Sequence, residues 1–119
     1  MMIVPYNNKW PLLYKQEKDK LILLLGDYVV DIQHIGSTAI PGLSAKPVVD
    51  IAVMIKNHED AEGFTPRVAE TGYRFHSKST ERHYYVKGNP EEYHLSIAYA
   101  DRGGFWKRQL LFRDYLVQH

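Results

Sequence analysis

The residues most suited to chemistry are a Gly-Ser pair at 36–37, which leaves a predicted strand, and Asp50 within the next strand. A glycine at a strand end lets the backbone approach a ligand closely, and the hydroxyls of Ser37 and Thr38 can hydrogen-bond phosphate oxygens. Lys46 lies between the two strands and adds a cation nearby. The pattern is compatible with a phosphate site, although a Gly-Ser pair after a strand is also typical of an ordinary turn.

Asp50 interrupts residues 48–55, which are otherwise almost continuously apolar. Such a run is typical of a strand buried on both faces in the middle of a sheet. A carboxylate in that environment is costly unless it is paired with a cation or binds a metal ion. Two interpretations stay open at this point: an ion pair with Lys46, Arg82 or another base, and a role as a metal ligand.

The elements that must position these residues alternate along the chain. Apolar residues spaced three and four apart, with a glycine after the first such segment, predict helices, and alternating or β-branched runs predict strands. The predicted helices cover 8–25, 58–71 and 105–117, and the predicted strands cover 28–35, 48–55, 73–76, 82–86 and 92–100. Gly63 and Pro66 weaken the second helix. This order predicts an α/β (α+β) domain with a mixed sheet flanked by helices.

Composition narrows the function classes. The sequence has 119 residues, a formal net charge of +1 and no cysteine, which excludes a disulfide scaffold, a thiolate metal site and a catalytic thiol. We expect one domain over 1–119, no membrane association, because no apolar run approaches the ~20 residues of a membrane span, and a cytoplasmic location. The near-zero charge disfavours a nucleic-acid-coating protein, although the basic, aromatic segment 65–88 keeps nucleic acid as a minor alternative.

A longer pattern surrounds these residues. Residues 34–51 read HIGSTAIPGLSAKPVVDI, which resembles the signature of the GrpB family within the nucleotidyltransferase superfamily. The resemblance extends upstream to Pro5-Tyr6 and Trp10-Pro11 and downstream to LFRDYL at 111–116, so it covers nearly the whole chain. Known members of the family continue past this closing motif with a further helical stretch. We therefore expect the present chain to lack that C-terminal extension.

The resemblance implies a nucleotidyltransferase-like core in which a Gly-Ser turn holds nucleotide phosphates and strand carboxylates hold Mg²⁺. Carried onto this sequence, it implies that Asp50 is the catalytic residue and the Mg²⁺ ligand. A nucleoside triphosphate is the implied ligand, with an unknown acceptor for the nucleotidyl group. The residues expected at the phosphates are Gly36, Ser37, Thr38 and Lys46, and those expected to support the site are His34, Arg82, His94 and Ser96.

The sequence departs from the superfamily pattern at the carboxylates. That pattern has a second carboxylate two residues after the first, where this chain has Ala52, and a third on a neighbouring strand, where it has His94 and Ser96. Because residues 50 and 52 share one face of a strand, Ala52→Asp is expected to complete a two-armed metal clamp. The alternatives to a transferase are therefore a catalytically inactive nucleotide-binding module and a purely structural or interaction domain.

Overall fold

A five-stranded mixed sheet organises the chain, whose residues 2–119 are described by a computed structural model. The strands are β1 (Val29–Ile35), β2 (Val49–Ile55), β3 (Arg74–Lys78), β4 (Arg82–Lys87) and β5 (Tyr93–Tyr99). Their order across the sheet is β1-β2-β5-β4-β3, with β2 and β5 parallel and the other neighbours antiparallel. The predicted mixed sheet flanked by helices is confirmed.

The two faces of β2 are buried against different partners. Its odd-numbered residues, such as Ile51 and Val53, join the main core beneath helices α1 (Trp10–Leu25) and α2 (Thr65–Ala69). On the other face, Ala52 joins a smaller apolar cluster with Phe105, the first residue of helix α3 (Phe105–Gln118). The prediction that this strand is buried on both faces is confirmed, and Asp50 occupies the second face.

The helices agree with the sequence except in one region. The predicted helix over 58–71 is wrong as a single element, because the chain forms a 3-10 turn at His58–Gly63 and then only the short α2. Glycine lowers helix stability and Pro66 lacks a backbone N–H, so Pro66 is accepted only in the first turn of α2. None of the helices within residues 2–119 has the length and apolarity to cross a bilayer.

A buried acid in the main core ties α1 to the sheet. Glu17 is 2% exposed, and its Oε1 accepts hydrogen bonds from Lys87 Nζ at 2.7 Å and from Tyr73 Oη at 3.0 Å. Lys20 Nζ contacts the other oxygen at 3.0 Å from the helix surface. Burial alone would raise the pKa of Glu17, but the hydrogen bonds from the two lysines and Tyr73 hold it below the usual 4.5. The ionised carboxylate is therefore stabilised in the folded state.

We expect Lys87→Met to destabilise the protein by about 3 kcal/mol at pH 7, because it leaves a buried carboxylate without its closest cation. Lys20→Met is the matched control and should cost under about 1 kcal/mol, since its ammonium is largely exposed. Urea unfolding measures both. Because the folded-state pKa of Glu17 is lowered, the pair stabilises above pH 4.5 and this contribution is lost as the pH falls further. Equal costs for the two variants would contradict this account of the core.

Candidate functional site

The site is built on a close contact between a glycine and a carboxylate. Gly36 has φ 73°, in the region that favours glycine, and it opens a 3-10 turn at Ser37–Ala39. A Cβ atom added to Gly36 would lie 3.0 Å from Asp50 Cγ and closer still to Oδ2. The cause is the strand register, in which Ile35 pairs with Asp50. Because position 36 carries no side chain, the Asp50 carboxylate packs directly against the turn.

A cleft of about 330 Å³ opens beside this contact. Its lining brings together Ser37, Lys46 and Asp50, so the juxtaposition predicted from the sequence is present in the structure. The remaining lining residues are Ile3, Ser44, Ala45, Val48 and His94. One wall comes from the N-terminal segment, where Val4 and Ala45 exchange backbone hydrogen bonds of 2.9 and 3.0 Å. The cleft therefore offers a cation, a hydroxyl and a carboxylate to one ligand.

Asp50 is paired with His94 rather than with Lys46 or Arg82. The two residues are register partners on the parallel strands β2 and β5, and His94 Nδ1 lies 3.2 Å from Asp50 Oδ1. His94 Nε2 lies 2.7 Å from Glu91 Oε1. Each ring nitrogen therefore lies beside a carboxylate oxygen. Only the doubly protonated imidazole can donate a hydrogen bond from both nitrogens. The contact with Asp50, with a smaller effect from Glu91, raises the pKa of His94 despite its partial burial.

His34 and Thr38 lie outside the lining of the cleft. His34 pairs in register with Ile51 and therefore points to the core face, opposite to the face of Asp50. Its ring stacks on Tyr14 at 5.0 Å, and its Nε2 lies 2.9 Å from Thr38 Oγ1. Burial lowers the pKa of His34 to about 4, so the ring is neutral. His34 therefore fixes the turn through the buried Thr38, and these two expected site residues do not line the cleft.

Arg82 and Ser96 form a separate group on the second face of the sheet. Arg82 Nη1 donates to Ser96 Oγ at 2.6 Å, and its guanidinium lies 4.3 Å from the ring centre of Tyr84 and 4.6 Å from that of Phe105. Neither residue lines the cleft. Their hydrogen bond and stacking connect β4, β5 and α3, so both residues support the sheet beside the cleft instead of contacting its contents.

The donor set does not fit a pair of metal ions. Ala52 shares a face with Asp50, as predicted, but it is 0% exposed in the cluster covered by Phe105 and does not line the cleft. Across the part of the chain that the structure describes, no group of three or more His, Asp or Glu residues is arranged to hold a metal. The expectation that Ala52→Asp completes a clamp is therefore revised, because position 52 is fully buried and a carboxylate there would not open into the cleft.

Two features of the cleft are not given by local sequence pattern. The N-terminal wall at Ile3 carries no recognisable sequence signal, since its place depends on a bridge to a distant loop. The pairing of His94 with both Asp50 and Glu91 had a partial signal, because the alternation of β5 puts His94 on the polar face. What the alternation does not give is which strand lies next to β5.

Comparisons with known proteins agree with this geometry. A family model described as GrpB protein matches residues 1–119. The UPF0157 protein YqkA of Bacillus subtilis is 34% identical over 119 residues, which cover 98% of this chain but only 35% of YqkA, so the chain spans about a third of that relative. The crystal structure of the conserved protein GrpB from Enterococcus faecalis superposes with a TM-score of 0.93 at 27% identity, covering 99% of this chain and 73% of that one.

The fold also resembles that of a more distantly related solved structure. The Cid1 poly(U) polymerase, solved with Mg and 3′-dATP, superposes with a TM-score of 0.61 at 12% identity, covering 95% of this chain and 37% of that one. At that identity the likeness concerns the fold alone, and it agrees with the predicted nucleotidyltransferase-like core. The match of the family model along all 119 residues is more specific. On that ground the chain belongs to the GrpB protein family.

Proposed function

We propose that this chain is a nucleotide-binding module whose cleft takes the phosphates of a nucleoside triphosphate. The observation that supports this most is the approach of Gly36 to Asp50, which leaves Ser37 and Lys46 facing the same space. The hydroxyl and the ammonium supply the donors that phosphate oxygens need. The cleft volume of about 330 Å³ falls at the lower end of the range for small-molecule sites, which suits a phosphate group better than a whole enclosed nucleotide.

Mg²⁺ enters this proposal as part of the ligand. Asp50 would be its protein carboxylate, and the phosphates and water would supply the other positions, as Mg²⁺ commonly accepts. His94 already contacts Asp50 Oδ1, so a metal ion has to compete with this ion pair. We therefore propose that Mg²⁺ contributes modestly to affinity, and that Lys46 contributes more.

Nucleotidyl transfer to an acceptor is the second candidate. It is favoured by the fold likeness to Cid1, whose solved complexes contain 3′-dATP and a UTP analogue. It is opposed by Ala52, because transfer needs charge neutralisation at the phosphoryl group and the usual device is a pair of metal ions held by several carboxylates. A binding module needs no such pair, which is why we place it first.

We expect nucleoside triphosphates at millimolar concentration to raise the melting temperature in a concentration-dependent way, because a ligand of the native state stabilises it by mass action. Lys46→Gln should weaken binding about tenfold, the usual worth of a charge-assisted hydrogen bond. Asp50→Asn should remove the dependence on Mg²⁺ while leaving Mg²⁺-free binding intact. Differential scanning fluorimetry with and without Mg²⁺ measures all three effects.

Lys56→Gln is the matched control for Lys46→Gln. Lys56 is exposed and follows β2 at the end remote from Asp50, so its loss changes net charge equally without touching the cleft. The proposal is wrong if no triphosphate stabilises the protein in either condition. It is also wrong if the two lysine variants weaken binding to the same extent, since binding would then reflect overall charge.

We expect Ala52→Asp to lower stability by about 3 kcal/mol, because it forces a carboxylate into a fully buried, closely packed position beneath α3. Mg²⁺ should not restore the lost stability, since position 52 does not open into the cleft. Val30→Asp, on the exposed edge strand β1, adds the same charge and should change stability little. Thermal unfolding with and without Mg²⁺ is the measurement. Recovery of Ala52→Asp by Mg²⁺ would restore the two-metal transferase interpretation.

A further inference from the structure

A second polar pocket lies at the opposite end of the sheet, on its core face. Its volume is also about 330 Å³, and its lining includes Tyr99 at the end of β5 and His83 near the start of β4. His94, at the first cleft, lies five residues before Tyr99 on β5, which separates the two positions by about 17 Å. The two pockets share no lining residue, so the proposed function of the first cleft leaves the second without a role.

A buried histidine is oriented into this pocket. His83 is 4% exposed, and its Nδ1 lies 2.5 Å from Tyr99 Oη. Burial raises the pKa of Tyr99 to about 12 and lowers the pKa of His83, so at neutral pH the phenol is protonated and the imidazole is neutral. The phenol therefore donates to Nδ1, which places the ring proton on Nε2. Tyr99 in this way makes His83 a hydrogen-bond donor toward the pocket.

The group facing that donor is a carboxylate at the rim. Glu62 Oε1 lies 3.8 Å from His83 Nε2, which is too long for a hydrogen bond, and 2.9 Å from Lys78 Nζ. The Glu62 side chain is 65% exposed, and its direct ion pair is with Lys78, which is itself exposed. Arg102 lines the same pocket. The His83 imidazole and the Lys78 ammonium thus face one exposed carboxylate, and Arg102 adds a guanidinium to the lining of the same pocket.

We propose that this pocket binds a phosphate group, either free or as a small monoester, in place of the Glu62 carboxylate. His83 Nε2–H supplies a buried neutral donor, and Lys78 and Arg102 supply the charge at the rim. These donors come from β4, β3 and the segment after β5, and a tetrahedral phosphate with several acceptor oxygens matches three separate donors better than the two coplanar oxygens of Glu62 do. Glu62 then acts as an internal competitor for the same donors.

The test is a titration with inorganic phosphate, followed by ¹H–¹⁵N spectra of the histidine side chains. Phosphate should move the Nε2 signal of His83 and saturate in the millimolar range, and glycerol 3-phosphate should do so as well if a monoester fits. Glycerol is the neutral control and should move nothing. Signals of His94 report the first cleft separately, so failure at one pocket does not hide the outcome at the other. Absence of any response at His83 overturns the proposal.

Charge variants at the rim identify the donors without disturbing the core. Glu62→Gln should tighten phosphate binding about fivefold and Arg102→Gln should weaken it about fivefold, the upper range for exposed charge pairs. Lys15→Gln, exposed on α1, is the control for net charge and should match the parent protein. The proposal fails if Glu62→Gln does not tighten binding, or if Arg102→Gln and Lys15→Gln behave alike.

Tyr99→Phe tests the orientation of His83 directly. It keeps the ring but removes the phenol that donates to Nδ1, so the population of the Nε2–H tautomer should fall and phosphate binding should weaken with it. The ¹⁵N chemical shifts of His83 report the tautomer independently of stability. A tautomer change that leaves phosphate affinity unaltered would exclude His83 as a donor to the ligand.

Discussion

The contact between the Gly36 backbone and the Asp50 carboxylate is the constraint on which the cleft depends. Antiparallel pairing sets Ile35 opposite Asp50, so the chain leaving β1 must pass the carboxylate at close range. A side chain at position 36 would collide with it, and the positive φ there is one that glycine adopts without strain. The turn at Ser37–Ala39 begins from this point, which directs Ser37 into the cleft while Thr38 is buried behind it.

The turn at Ser37–Ala39 is also fixed by residues that lie outside the cleft. His34 contacts Thr38, Tyr14 stacks on His34, and Arg113 of α3 donates to the His34 carbonyl oxygen at 3.1 Å and to Gln33 Oε1 at 2.8 Å. These contacts come from α1 and α3, on opposite faces of the sheet. The polar residues around the Gly-Ser turn therefore divide into those that fix its backbone and those that face solvent, and only the second kind is available to a ligand.

The sequence predicted the parts of the fold that depend on local pattern. Alternation along β5 and the apolar run of β2 were sufficient to place those strands, and Gly36-Ser37 with Asp50 located the cleft. Local pattern alone does not predict the pairing of Asp50 with His94, because the pairing needs the parallel contact between β2 and β5, whose residues are far apart in sequence; only the family resemblance implied that these two strands are neighbours. Burial of the strand on both faces was predicted, but the separation of Ala52 from the cleft was not, since periodicity gives the face of a residue but not which element covers it.

Strand β5 connects the two polar pockets and also separates them. Its even residues begin with His94 on the second face, and its odd residues end with Tyr99 on the core face, while Leu95 and Ile97 between them are fully buried. Groups this far apart with no shared contacts usually contribute additively to stability and binding. A ligand in one pocket would therefore influence the other only by shifting β5 itself, and hydrogen bonding to β2 on one side and β4 on the other opposes such a shift in a closely packed sheet. The same sheet that holds Asp50 against Gly36 thus keeps the two polar pockets of one small domain apart.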